Sequence, residues 1–148
     1  MAQSKQPTVQ DQQPEPDESS LIAARRAKLD WIRDELELNP FGERVDGLIP
    51  LHQARGMFDE GADEAHSDSV AARKEDDSVE LVDDRAKVLV AGRVVQHRDV
   101  GKLVFMVLRD HTGDLQLSIS KSELVSGSFK LAKKIDYGDI VVAGGRMG

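Results

Sequence analysis

A small Greek-key β-barrel preceded by an amphipathic helix is the fold class this chain predicts, and three observations carry that expectation. From Ala86 onward, short apolar runs recur at close spacing with turn residues between them. One of them, "LQLSIS", alternates apolar and polar side chains with the period of a half-buried strand. Ahead of the runs, Ile22, Leu29, Ile32 and Leu36 stand at helical spacing among charged residues.

The elements follow in chain order. Residues 1–18 are rich in Gln and Pro and poor in apolar side chains, which predicts a disordered tail. They contain no apolar core of a signal peptide. Ser19 or Ser20 can cap the helix that follows, and Asn39-Pro40 is expected to stop it, because proline disfavours a helical residue before it. Gly42, Gly47, Pro50 and Gly56 predict a loop with one short helix at "LHQARGMF", so that residues 19–58 form a helix-and-loop extension. Residues 59–84 hold eleven acids and two bases, and 59–85 are expected to be a solvated acidic linker without regular structure.

Residues 86–148 carry the barrel. "AKVLVAGRVVQHR" predicts a first strand, with Gly92 inside it suggesting a bulge or bend. "KLVFMVLRD" is a second strand, "HTGD" a turn, and "LQLSIS" a third strand. "SELVSGSFKLAKKID" has room for one or two helical turns, and "YGDIVVAGGR" supplies a fourth strand. The order β-β-β-α-β matches an OB-fold, a five-stranded barrel that binds oligonucleotides on the face of its second and third strands. The chain reaches Gly148 after the fourth strand, so the barrel is expected to be incomplete at its C-terminus, the chain being either a fragment or a protein without the fifth strand.

Charge is distributed unevenly. Residues 86–148 hold ten Lys/Arg against six Asp/Glu, whereas the chain as a whole has a net charge of −7. A basic module beside an acidic half is a pattern that meets polyanions. There is no cysteine, which excludes disulfides and thiolate metal sites. No stretch approaches the roughly 20 apolar residues of a membrane span, and a cytoplasmic protein is the expectation.

Strand parity then selects candidate residues. Val104, Met106 and Leu108 are uniformly apolar and belong inside a barrel, which turns Leu103, Phe105, Val107 and Arg109 outward. By the same alternation Leu115, Leu117 and Ile119 point one way, and Gln116 lies on the outer face. An outward aromatic on a sheet is a platform for unstacked bases. Gln116 can hydrogen-bond a base edge, Arg98 can pair with phosphate or stack, and Arg93 and Arg109 add cations to the same module.

The run "GRVVQHRDVGKLVFMVLRDHTGDLQL" resembles the anticodon-binding domain of class II aminoacyl-tRNA synthetases of the aspartate, asparagine and lysine group. The resemblance lies in Gly92, Val94, Arg98-Asp99, Gly101, Phe105, Arg109-Asp110, Gly113 and Gln116. It implies that Phe105 stacks on the central anticodon uridine while Arg98 and Gln116 help to read it. Arg25, Lys28, Leu29, Arg33, Asn39, Pro40 and Phe41 resemble the N-terminal helix of lysyl-tRNA synthetases. The likeness covers about residues 20–58 and 86–148. It implies a tRNA partner, and a full-length parent that is a homodimer and ligates lysine to tRNA with ATP and magnesium. The isolated chain would then be a monomer.

No catalytic constellation is visible in the chain itself. His52, His66, His97 and His111 are scattered without metal-ligand spacing, and "AGGRMG" is a strand end rather than a phosphate loop. Asp110 and Asp114 flank a turn and suit capping it. Three other readings stay open: a general single-strand-binding OB protein, an aspartyl- or asparaginyl-type synthetase segment, and a protein-interaction module.

Overall fold

The computed structural model describes residues 18–124 and 126–148. The expected tail lies outside them, apart from Glu18. The chain divides into two units, the first ending at Glu43 and the second spanning Arg44–Gly148.

In the first unit, α1 spans Glu18–Asp34. Its end comes earlier than Asn39-Pro40. Glu37 takes a left-handed φ of 52°, and the Leu38 N–H closes back on the Ile32 carbonyl at 3.2 Å. The helix is therefore terminated by its own backbone, and Asn39–Gly42 forms a separate turn. There the Asn39 carboxamide oxygen accepts from the Phe41 N–H at 3.1 Å, and the Gly42 N–H bonds the Asn39 carbonyl at 3.2 Å. The Arg33 guanidinium lies 5.4 Å from the Phe41 ring centroid.

The second unit contains α2 (Leu51–Gly56), α3 (Glu60–Glu75), β1 (Lys87–Asp99), β2 (Leu103–Asp110), β3 (Gly113–Ser120), α4 (Ser126–Lys133) and β4 (Ile140–Arg146). The strands form one antiparallel sheet in the order β3-β2-β1-β4, an OB-type half-barrel. Its concave side is the core. Val90, Val94, Val104, Met106, Leu108 and Leu115 are buried there, joined by Leu51 and Ala54 of α2 and by Phe129 and Ala132 of α4. Each fully buried Leu, Met or Val contributes roughly 1.5–3 kcal/mol, so this row outweighs any one surface contact in fixing which face of β2 turns inward.

The acidic stretch corrects an expectation. It is not an unstructured linker: Glu60–Glu75 form α3 within the same unit as the strands. The local causes are in the residues. The Asp59 side chain caps the start by accepting from the Ala62 N–H at 2.9 Å. Glu60 and Asp63 sit in the first turn and Arg73 and Lys74 in the last, which suits the helix dipole. Distant contacts then hold the helix. Buried Ser69 donates its hydroxyl to the His66 carbonyl at 2.8 Å and accepts the Val82 N–H at 3.1 Å. His66 Nδ1 lies 2.8 Å from the Val82 carbonyl. Arg85 reaches Asp63 at 3.4 Å and Asp83 at 2.9 Å, and Arg146 of β4 meets Asp83 at 3.1 Å.

Gly92 is not the bulge. A Cβ there would stand 3.0 Å from both the Arg109 carbonyl oxygen and Leu108 Cβ, so glycine permits a close approach of β1 to β2. The bulge falls between Val94 and Gln96.

Candidate nucleic-acid interface

The convex face of β1, β2 and β3 is built in cross-strand rows. Arg98 stands opposite Phe105, and Phe105 opposite Ser118. In the next row Gln96 stands opposite Val107, and Val107 opposite Gln116. The third row is Arg93, Arg109 and Asp114. Side chains directly opposite on one face are near neighbours, so Arg98, Phe105, Gln116, Arg93 and Arg109 lie on one surface.

The bulge makes this possible. Arg93 is outward, and strict alternation would turn residues 95 and 97 outward after it. The extra residue at Val95 shifts the parity, so that Gln96 and Arg98 join Arg93 on the convex face while His97 turns to the concave one. There His97 Nε2 lies 2.8 Å from the Ala132 carbonyl of α4, a structural contact.

The residues differ in how they are held. Arg98 and Gln116 are exposed, whereas Phe105 is half-buried. The Arg98 guanidinium lies 5.7 Å from the Phe105 ring centroid, a cation on the aromatic face. Arg109 grips Asp114 with two bonds, Nε–Oδ1 at 2.7 Å and the second guanidinium nitrogen to Oδ2 at 2.8 Å. That pairing raises the Arg109 guanidinium and lowers the Asp114 carboxyl from their ordinary values. Arg93 donates to the Gly138 carbonyl at 2.7 Å and braces the turn before β4. Arg93 and Arg109 thus already have partners within the fold.

The turn that joins β2 to β3 is organised by Asp110. Its Oδ1 accepts from the Thr112 N–H and hydroxyl, both at 2.6 Å, and from the Gly113 N–H at 3.1 Å. Its Oδ2 accepts the Leu51 N–H at 2.9 Å, and the Thr112 hydroxyl oxygen accepts the His52 N–H at 3.1 Å, so the turn caps α2. Burial alone would raise the Asp110 carboxyl, but these donors together hold it well below the usual carboxylate range. Arg55 of α2 also donates to the Asp114 carbonyl. At the other hairpin the Asp99 carboxyl is lowered first by the Gly101 N–H at 2.9 Å and then by Lys133 at 3.2 Å.

Two contributors were missed from the sequence. Gln96 was hidden because Val94 and Val95 are both apolar and nothing in the alternation marks which one is extra. The bracing by residues 51–55 was hidden because its partners lie across the chain; the one local hint was the Asp110-x-Thr112-Gly113 turn pattern. Among the described residues no group of three or more His, Cys, Asp or Glu side chains is arranged to hold a metal ion. Among them, too, no helix is long and apolar enough to cross a membrane.

Comparison with known proteins bears on the fold of the strand region. Residues 88–148 match the family model of the tRNA anticodon OB-fold nucleic acid binding domain. A lysine–tRNA ligase of Burkholderia pseudomallei (strain K96243) is 32% identical over 129 residues, covering 87% of this chain and 22% of that protein. The enzyme of the same name from Leuconostoc citreum (strain KM20) is 28% identical over 120 residues, covering 81% and 21%. The chain therefore spans about a fifth of the length of the ligases it matches. Among solved structures, asparaginyl-tRNA synthetase from Pyrococcus horikoshii, complexed with asparaginyl-adenylate, aligns at 35% identity with a TM-score of 0.40, covering 43% of this chain and 14% of that one. Residues 88–148 thus match an OB-fold nucleic acid binding domain of the tRNA anticodon type, and the curated relatives of the chain are lysine–tRNA ligases.

Proposed function

We propose that the convex face of β1–β3 binds the anticodon loop of a lysine tRNA, with Phe105 stacking on the central base and Gln116 and Arg98 reading it. The observation that carries this reading is the row of Arg98 and Phe105 beside the row of Gln116 on one exposed surface. Ligand entry would displace Arg98 from the ring or sandwich the base beneath it. The partners already held by Arg93 and Arg109 favour base reading over a broad phosphate grip: these arginines shape the face and present fewer open N–H groups to the backbone.

By the same reading, a full-length ligase that contains this segment attaches lysine to tRNA in the cytoplasm, uses ATP and magnesium, and works as a homodimer. The segment supplies recognition. By this reading recognition lies in residues 86–148, and residues 44–85 brace them.

The test is a titration of the 148-residue chain with a lysine-tRNA anticodon stem-loop and with an unrelated single strand of equal length. Base–aromatic stacking contributes roughly 1–3 kcal/mol, so Phe105→Ala should weaken stem-loop binding by about one to two orders of magnitude. Circular dichroism should show the fold intact. Equal affinity for both RNAs would identify a general single-strand binder instead. No salt-dependent affinity for either would leave a protein-interaction module.

A further inference from the structure

We infer that Gln96 reads the base next to the central one, making a second base-recognition position on the β1 side of the face. The inference rests on the anticodon-loop reading above and extends it to a residue that the sequence pattern did not single out. Gln96 and Gln116 flank Val107 on opposite sides, in register, so two amides stand in one row across three strands. Both are exposed, and Val107 between them is half-buried and apolar. Neighbouring strands lie about 4.8 Å apart, which puts the two amides' backbones about 10 Å apart. A base stacked on Phe105 has one pairing edge. If Gln116 meets that edge from β3, Gln96 approaches from the far side of β2. Its carboxamide, with two donors and an acceptor, is then left for the edge of an adjacent unstacked base.

The neighbourhood fits such a base. Arg93 in the following row is anchored to the Gly138 carbonyl, which fixes a cation beside the slot without filling it. Ile140 stands opposite Arg93 on β4 and is 69% exposed, an apolar surface for the ring that Gln96 would read. No hydrogen bond or ion pair within the fold uses the Gln96 carboxamide among those described, and the bulge at Val95 is what brings it to this face.

The experiment measures binding of the 148-residue chain to a set of anticodon stem-loops in which each of the three anticodon bases is changed in turn. Wild type, Gln96→Ala and Gln96→Met are compared, the methionine keeping the length of the side chain while removing its hydrogen bonds. Both variants should lose roughly tenfold of the preference at one flanking position, with preference at the central base unchanged. Gln116→Ala should show the converse. Unchanged preference at both flanking positions, or a loss confined to the central base, would overturn the assignment to Gln96 while Phe105→Ala still weakens binding. If wild type binds none of the stem-loops, the anticodon reading itself falls and this inference with it.

Discussion

Two groups of arginine and aspartate lie along β1 and are built differently. At its start, Arg85 bridges Asp83 and Asp63 while Arg146 closes on Asp83, joining α3, β4 and the lead into β1. These side chains are partly shielded from water, and two of the pairs, Arg85 with Asp63 and Arg146 with Asp83, join residues remote in sequence. On the convex face, Arg109 meets Asp114 across a two-residue turn in an exposed position, and Arg98 lies against a ring. The residue types are the same. What differs is the number of partners and the access of water. The first group holds elements of the fold together, and the second keeps side chains arranged at a surface. An ion pair open to solvent adds little to stability because water and salt screen it.

The contrast can be broken from either side. The largest effect belongs to the pair Phe105→Ala and Asp83→Asn, which should give exchanged phenotypes. Phe105→Ala loses RNA affinity and keeps its melting temperature. Asp83→Asn removes the common partner of Arg85 and Arg146 and should lower the melting temperature by about 5 °C. Its affinity should stay within about twofold of wild type. Both are read from thermal melts and stem-loop titrations on the same samples. If Asp83→Asn melts like wild type, the network does not hold α3.

Acid sharpens the same comparison. Arg85 is the main cause that lowers the Asp83 carboxyl from 3.8 to about 2, with Arg146 and His66 adding to it. A carboxyl depressed in the folded state stabilises the fold above its unfolded value, and that contribution is lost as pH falls through the folded value. The melting temperature should therefore be flat down to about pH 4 and fall between about pH 4 and pH 2. Asp83→Asn should show a shallower fall. Asp110, also depressed, acts in the same direction and extends the loss to lower pH.

The smallest effect concerns the acids that face away from the network. Glu60, Glu64 and Asp68 are exposed on one side of α3. Replacing them with Gln, Gln and Asn should raise RNA affinity by about threefold or less at low salt and leave it unchanged at high salt. A gain that persists at high salt would mean that they touch the RNA.

These residues also show what the sequence made legible. The inward face of β2 could be read because Val104, Met106 and Leu108 leave no ambiguity, and the outward places of Phe105 and Gln116 followed. The helix α3 could not be read from its charge. Eleven acids suggested solvation, although Asp59 as a cap and the acidic-then-basic order of its turns were visible locally. What secures it, Arg85 with Asp63 and Ser69 with Val82, is non-local and has no pattern along the chain. The end of α1 escaped for another reason. A left-handed Glu37 ends the helix before proline acts, and no residue type at that position announces it.

The bulge at Val95 makes β1 a strand in which length matters more than identity. Many side chains could occupy position 95 without moving Arg98. Removing or adding one residue between Arg93 and Arg98 would instead exchange the places of His97 and Arg98, breaking the tie to α4 and turning a cation into the core. Substitution in this stretch should be tolerated where insertion or deletion is not. A related chain that keeps every recognisable letter but differs by one residue here would have lost the surface.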